Sequence, residues 1–238
     1  MSYYSEIEVD LDRLDRCEAF RTARNTIRPG FVMRRANDPE FIAYRQYIAE
    51  IERYTENEDA MRAIAREPML KIAFFRTFGY RGEVEFTLMP EVWLRDLPLL
   101  VIGRDAHLGY GMILGTGQVS QDGSGVRLRP IAIGARSFCN QHAVIEGGTV
   151  IGDDCLVGIG SSIGEACRIS DRAQIGDCAR LGHEVAIGER TVIGHNARIG
   201  NGSVIDPDLR VGDGARIPPQ HRLTSAGLFP LLAGRLAA

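Results

Sequence analysis

A few side chains in this sequence are of types that accept protons in enzymes. His142 and Glu146 lie four residues apart, and Asp122 lies in the hydrophilic stretch QDGSGVRLRP at 121–130. Imidazole and carboxylate groups are common general bases when they lie within hydrogen-bond reach of the group that they deprotonate. These three residues are therefore the candidate catalytic bases. Whether they can reach a substrate depends on the secondary structure that positions them.

A second feature is a set of three evenly spaced arginines. Each follows the one before by 18 residues: Arg180, Arg198 and Arg216. If the fold places residues 18 apart side by side, these guanidinium groups repel one another unless carboxylates or an anion lie between them. We expect the three arginines to bind an anionic ligand, to contact acidic helices elsewhere in the chain, or to form a solvated ladder on the surface.

The element that carries these residues is a hexapeptide repeat. In IEGGTVIGDDCLVGIGSSIG, at 145–164, a branched aliphatic residue recurs every sixth position, a period that fits neither an α-helix nor a strand. Stepping by six from 133 to 217 gives fifteen apolar positions, and glycine follows ten of them. Four residues after each comes a second column of mostly small side chains. The pattern predicts a parallel β-helix in which three hexads make one coil and coils stack about 4.8 Å apart.

The cysteines fit this β-helix as structural residues. Cys155 and Cys167 fall in the small interior column, and Cys139 falls in the large one. Cys178 falls at a corner, where we expect an exposed thiol. The five cysteines contain no CxxC pair and no two histidines lie three to five apart, so no metal site is expected.

The predicted fold class is mainly β, with a parallel β-helix of about six coils over residues 83–217. A shorter run of the repeat at 102–114 begins it, and residues 84–88 form an imperfect earlier coil. Extra residues between two hexads predict a protruding loop at 121–130. Loops on rigid scaffolds often carry function.

The flanking segments differ in character. Residues 1–82 are predicted to form an α-helical region, with one helix starting at Asp38-Pro39. The residues predicted to form the packing face of this helix recur at helical spacing: Phe41, Tyr44, Ile48 and Ile51. Residues 218–238 follow a Pro-Pro pair and are predicted to be a short tail that caps the last coil.

Bulk properties exclude several classes of protein. The formal net charge of −3 suggests neither nucleic acid nor an acidic membrane surface as a partner. No apolar run approaches the ~18 residues of a membrane span. The acidic start shows no signal peptide, and we expect a cytoplasmic protein.

The phrases PIAIGARSF at 130–138 and GTVIGDDCLVGIGSS at 148–162 resemble those of the hexapeptide-repeat transferases. The resemblance covers roughly residues 98–217, and an N-terminal helical region before such a coil is similar to the layout of serine acetyltransferases. It implies a left-handed β-helix, a homotrimer, and acyl-CoA or an acyl carrier protein as the acyl donor. Acyl-CoA, most simply acetyl-CoA, is then a co-substrate and no cofactor is bound. The resemblance implies donor binding at Gly158, Gly160, Ser161 and Ser162, and suggests that the three arginines bind CoA phosphates.

The sequence departs from this family at one point. Family members place a catalytic histidine shortly before the PI-x-IG phrase, but no histidine lies between Tyr110 and Cys139. The base would then be His142, Glu146 or Asp122. The first hypothesis is an acyltransferase acting on a hydroxyl or amine of a small acceptor. The alternative is a non-catalytic trimeric β-helix scaffold or binding module that lacks the base.

The upper coils, those nearest the start of the main repeat, have an outward surface that is apolar on all three predicted faces. It contains Phe138, Val144, Val150 and Leu156. We expect this surface to be buried against other subunits or against the helical region.

Overall fold

The computed structural model describes residues 3–231. Its N-terminal part consists of five helices: α1 (Tyr3–Arg16), α2 (Glu18–Asn25), α3 (Pro39–Thr55), α4 (Glu58–Arg66) and α5 (Pro68–Thr77). The start of α3 is as predicted, because the Asp38 side chain accepts hydrogen bonds from the Glu40 and Phe41 N–H groups and Pro39 occupies the first turn. In the predicted packing face, Tyr44, Ile48 and Ile51 are buried and Phe41 is partly buried.

The rest of the described chain is a parallel β-solenoid of about eight turns. The first face contains β2 (Thr87–Leu88), β4 (His107–Leu108), β9 (Phe138–Cys139), β12 (Leu156–Val157), β15 (Gln174–Ile175), β18 (Val192–Ile193) and β21 (Arg210–Val211). The second contains β5 (Ile113–Gly115), β10 (Val144–Glu146), β13 (Ser162–Ile163), β16 (Arg180–Leu181), β19 (Arg198–Ile199) and β22 (Arg216–Ile217). The third contains β3 (Leu100–Ile102), β8 (Ile131–Ile133), β11 (Val150–Ile151), β14 (Arg168–Ile169), β17 (Ala186–Ile187), β20 (Val204–Ile205) and β23 (His221–Thr224).

The solenoid confirms the predicted fold class, but it has more turns than the six expected. The additional strands lie at its two ends. Residues 84–88 do contribute to an earlier coil, because β2 pairs with β4 in parallel. At the other end, β23 pairs with β20 and extends the third face beyond Ile217.

Corner residues hold successive coils together through side chains placed 18 residues apart. The Asp153 carboxylate accepts the Ala135 N–H at 2.8 Å, and the Asp171 carboxylate accepts the Asp153 N–H at 2.9 Å. Non-glycine residues at the corners adopt left-handed backbone, as at Asp154 with φ of 56°. At these corners the side chains thus satisfy N–H groups that the short strands leave unpaired.

Two buried tyrosines of the helical region connect it to the first coils. The Tyr47 hydroxyl donates to the Phe78 carbonyl at 3.0 Å and accepts the Leu97 N–H at 3.3 Å. The Tyr80 hydroxyl donates to the Ile102 carbonyl and accepts the N–H of the same residue, both at 3.1 Å. The helices therefore cover the upper end of the solenoid through directional bonds as well as apolar packing. The domain boundaries at 82/83 and 217/218 stay predictions.

The predicted loop at 121–130 is instead part of a hairpin of β6 (Gly117–Val119) and β7 (Gly125–Leu128). The expectation of a free protruding loop is wrong because β7 also pairs with β1 (Gly30–Met33), a strand between α2 and α3. The Phe31 ring packs over Gly125, where a Cβ would lie 2.5 Å from the Val32 carbonyl oxygen. Only the tip, around Asp122, remains a turn.

The C-terminal segment caps the third face as an antiparallel hairpin. Strand β24 (Gly227–Pro230) pairs with β23 and so covers the edge of the last parallel strand. The predicted capping role is therefore met by residues 221–230, and residues 232–238 of the predicted tail lie outside the described residues.

The apolar upper surface is not covered by the helical region. Phe138, Val150 and Leu156 are 42%, 43% and 41% exposed, so the expected burial against the helices is wrong. Burial against other subunits stays a prediction. No helix in the described part of the chain is long and apolar enough to cross a membrane.

Candidate functional site

The three arginines stack on the second face of the solenoid, as their spacing predicted. Arg180 pairs in register with Arg198, and Arg198 pairs with Arg216, each on a neighbouring coil. All three side chains are exposed, and within residues 3–231 none of them forms an ion pair with a carboxylate. We call these three residues the arginine ladder.

The lack of carboxylate partners distinguishes the arginine ladder from the corner arginines of the solenoid, although Arg168 and Arg210, on strands of the other two faces, also form no ion pair within the described residues. At the corner between the third and first faces, Arg136 and Arg190 each bind a carboxylate 18 residues further on, Asp154 and Asp208, through two hydrogen bonds. At this corner a carboxylate in register therefore neutralises the arginine charge. The expectation that the ladder contacts acidic helices is wrong within one chain, so its positive charge is available to an anion from outside.

The ladder forms one wall of an open groove of about 530 Å³. The groove also contains Ser162, in register with Arg180 on the next coil up, and Glu146 at the end of β10. His183 completes the polar lining, at the corner between the second and third faces. We call this space the ladder groove.

Glu146 has a carboxylate oxygen with no hydrogen-bond partner. Its Oε2 is buried and has no hydrogen-bond partner among the described residues, and the Nδ1 atom of His183 lies 3.5 Å from it. Gly164 lies on the coil between them and also lines the groove, and a Cβ there would lie 2.7 Å from the Gly182 carbonyl carbon of the next coil. A buried carboxylate oxygen without a donor is costly, and a ligand with an O–H or N–H would satisfy it.

The corner beside Glu146 is held by the end of the hairpin. Arg129 forms an ion pair with Glu165 at 2.8 Å, and both side chains are mostly buried. The Arg129 side chain lies against Gly147 and Gly148, where added Cβ atoms would lie 3.0 and 3.4 Å from it. No other corner of the repeat has two adjacent glycines, but the sequence does not show which side chain lies against them.

Two of the three predicted bases, His142 and Asp122, lie outside the ladder groove. His142 is exposed at the corner between the first and second faces, edge-on to the Tyr110 ring at 5.9 Å, before the strand that ends in Glu146. Asp122 lies at the hairpin tip, where its Oδ1 accepts the Ser124 N–H and the hydroxyls of Ser120 and Ser124. These bonds, the Ser124 N–H first, lower the pKa of Asp122 to about 2 and make it a weak base.

The predicted donor-binding glycines and serines are only partly brought together with the arginines. Ser162 lies in the ladder groove, but Ser161 is buried and its hydroxyl donates to the Gly158 carbonyl at 2.8 Å. At Gly158 a Cβ would lie 2.5 Å from the Asp177 nitrogen of the next coil, so packing alone requires glycine there. At Gly160 the φ is 62°, and a Cβ would lie 3.7 Å from the Cys178 sulfur, an ordinary van der Waals contact. Their predicted contact with a donor stays a prediction.

The cysteines behave as the repeat predicted. Cys139, Cys155 and Cys167 are buried, whereas Cys17 and Cys178 are exposed. Burial raises the pKa of Cys139 to about 12 and that of Cys167 to about 11, so neither thiol is a ready nucleophile. Within the described residues, no group of three His, Cys, Asp or Glu side chains is arranged to hold a metal ion.

Comparison of the sequence with protein-family models gives no match, and comparison with curated proteins gives none either. Solved structures do match. The acetyltransferase domain of PglB from Neisseria gonorrhoeae is 20% identical, with 59% of this chain and 57% of that chain covered and a TM-score of 0.42. A UDP-N-acetylglucosamine acyltransferase from Francisella novicida is 15% identical, with 64% and 66% covered and a TM-score of 0.47.

A third match is a hexapeptide-repeat acetyltransferase from Vibrio cholerae in complex with acetyl-CoA. It is 15% identical, with 82% of this chain and 89% of that chain covered and a TM-score of 0.39. The repeat fold that the resemblance implied is confirmed, because this chain is a parallel β-solenoid. At these identities and TM-scores the matches carry no argument about activity.

Proposed function

We propose that this protein is an acyltransferase that moves an acyl group, most simply acetyl, from acyl-CoA to a hydroxyl or amine of a small acceptor. The observation that carries the proposal is the ladder groove, in which unpaired arginines lie in the same open space as the unpartnered Glu146 carboxylate oxygen. The arginine ladder would bind phosphate groups of the donor, and Glu146 would receive a proton from the acceptor.

The proposed reaction is a direct transfer without a covalent enzyme intermediate. The acceptor oxygen or nitrogen attacks the thioester carbonyl carbon, its proton passes to Glu146, and the carbon–sulfur bond breaks. Coenzyme A then leaves as a thiol after it takes that proton. Glu146 suits this role because its buried oxygen has no competing hydrogen-bond donor in the described chain.

The proposal is tested by release of free thiol from acetyl-CoA in the presence of a panel of small alcohols and amines. We expect transfer by the wild-type protein and a loss of about 10²- to 10⁴-fold in Glu146→Gln, the usual range for a general base. Glu184→Gln, at an exposed corner, is the control for loss of one carboxylate.

Two results would change the proposal. Loss of transfer in His142→Gln with full transfer in Glu146→Gln would move the base to the other corner. Absence of transfer to every acceptor would favour the scaffold or binding module.

We also propose that the working unit is a homotrimer. The support is the exposed apolar surface of the upper coils, where Phe138, Val150 and Leu156 lie on two different faces of the solenoid. Sedimentation equilibrium should give three times the chain mass. A stable monomer at micromolar concentration would contradict this proposal.

A further inference from the structure

Glu146 and His183 face each other in the ladder groove without sharing a proton. The Nδ1 atom of His183 accepts a hydrogen bond from the Glu165 N–H at 3.1 Å. A backbone N–H can only donate, so Nδ1 bears a lone pair and the proton of the neutral imidazole is on Nε2. Glu146 Oε2 lies 3.5 Å from the same Nδ1. Because both atoms are hydrogen-bond acceptors, neither donates to the other.

This arrangement gives His183 and Glu146 different chemical roles, hydrogen-bond donation and proton acceptance. The Nδ1 of His183 is occupied by the Glu165 N–H, so in this arrangement the neutral ring contributes a donor and not a base. Building on the proposed function, we infer that His183 is the hydrogen-bond donor of the site, with its Nε2–H directed to an oxygen of acyl-CoA. Glu146 remains the group that accepts the proton of the acceptor.

The groove, and not the corner bond, is what sets His183 apart. His195 has the same corner arrangement, because its Nδ1 accepts the Asp177 N–H at 3.0 Å and lies 3.3 Å from the Asp177 carboxylate. His195, however, lies at the corner between the first and second faces and lines a separate groove of about 380 Å³ on the first face, not the ladder groove. The hydrogen bond from a backbone N–H to a corner histidine Nδ1, here called the corner bond, therefore recurs in the repeat and has a structural role. His195 is a matched control for His183.

Asparagine substitution separates the structural role from the ligand-binding role. In the same corner column, the Asn201 side-chain oxygen accepts the His183 N–H at 3.1 Å, as His183 Nδ1 does for Glu165. His183→Asn and His195→Asn should therefore keep their corner bonds and melt within a few degrees of the wild type. Only the first removes an imidazole Nε2–H from the ladder groove, because the amide N–H groups of the shorter asparagine lie closer to the backbone.

The test combines imidazole nitrogen NMR of the full-length protein with calorimetric titration of acetyl-CoA. We expect the Nε2–H tautomer at His183, a shift of its Nε2 resonance on addition of acetyl-CoA, and about tenfold weaker binding in His183→Asn, as for loss of a hydrogen bond to a charged group. Binding should be unchanged in His195→Asn.

Three outcomes overturn the inference. An Nδ1–H tautomer at His183 removes its basis. Binding by the wild type that is unaffected in His183→Asn refutes the inference alone and leaves the proposed function standing. No binding of acetyl-CoA to the wild type refutes the proposed function, and this inference with it.

Discussion

Asp96 is a fully buried carboxyl group at the junction of the helical region, the first coils and the hairpin. The Thr116 hydroxyl donates to its Oδ2 at 2.7 Å, and its Oδ1 is buried without a hydrogen-bond partner among the described residues. Burial raises the pKa of Asp96 from 3.8 to about 6, against the opposing effects of Thr116 and Arg95. The ionised form is therefore the unfavourable one in the folded protein.

This residue predicts a pH dependence of stability. An acid with a raised folded-state pKa binds its proton more tightly when folded, so its contribution is greatest below pH 4 and is lost as the pH rises through about 6. The loss amounts to about 3 kcal/mol over that interval. Asp96→Asn should flatten the fall in the free energy of unfolding between about pH 4 and 6.5, measured by denaturant unfolding.

The control for this change is Asp213→Asn at an exposed corner. The Asp213 carboxylate accepts the His195 N–H, which asparagine can also do. Its pH profile should follow that of the wild type. Parallel profiles for Asp96→Asn and the wild type would contradict the account of the buried carboxyl group.

Within the candidate site, the feature best predicted from the sequence was the position of single residues on the solenoid. The 18-residue spacing of the arginines fixed their stacking, because the solenoid repeats in one dimension and register follows from counting. The approach of His183 to Glu146 across Gly164 could not be predicted, since it depends on side-chain directions across two coils. The position of Arg129 over Gly147 and Gly148 likewise depends on where the hairpin ends.

At the scale of elements, the hairpin is the feature that the repeat did not predict. Alternation of Val126 and Leu128 is visible in the sequence, but the partner strand β1 lies about 95 residues earlier, and its short segment has no repeat to mark it. Non-local antiparallel pairing of this kind is set by tertiary contacts. Helix α3 was predictable because its start is encoded locally by Asp38 and Pro39.

Gly125 provides a test of the pairing between β1 and β7. An alanine there would overlap the Phe31 ring and crowd the Val32 carbonyl oxygen, so Gly125→Ala should cost about 1–3 kcal/mol and loosen the hairpin. Hydrogen exchange at Gly30–Met33 and Gly125–Leu128 should accelerate, with less effect on the lower coils.

Gly212→Ala is the matched control, because a Cβ at Gly212 meets nothing within 4 Å and its backbone needs no left-handed conformation. It should exchange like the wild type. Unchanged protection of β1 in Gly125→Ala would show that the two strands are not paired as described.

At the scale of the whole molecule, the solenoid provides a rigid frame on which charge is distributed unevenly. The upper coils present apolar outward residues, and the lower coils of the second face present the arginine ladder. The helices close the upper end, and the hairpin ties them to the corner beside Glu146. This arrangement separates a surface suited to association from a groove suited to an anionic ligand.

The measurement that tests the central claim most directly is calorimetric titration of the wild-type protein with acetyl-CoA and with dephospho-CoA. We predict micromolar binding near one per chain, weaker without the 3′-phosphate and weaker at high salt. Arg198→Gln should weaken binding by about tenfold through loss of a charged hydrogen bond. Arg210→Gln, an exposed arginine on the first face, should bind as the wild type does. No detectable binding, or equal affinity in Arg198→Gln and the wild type, would contradict the assignment of the ladder groove as the ligand site.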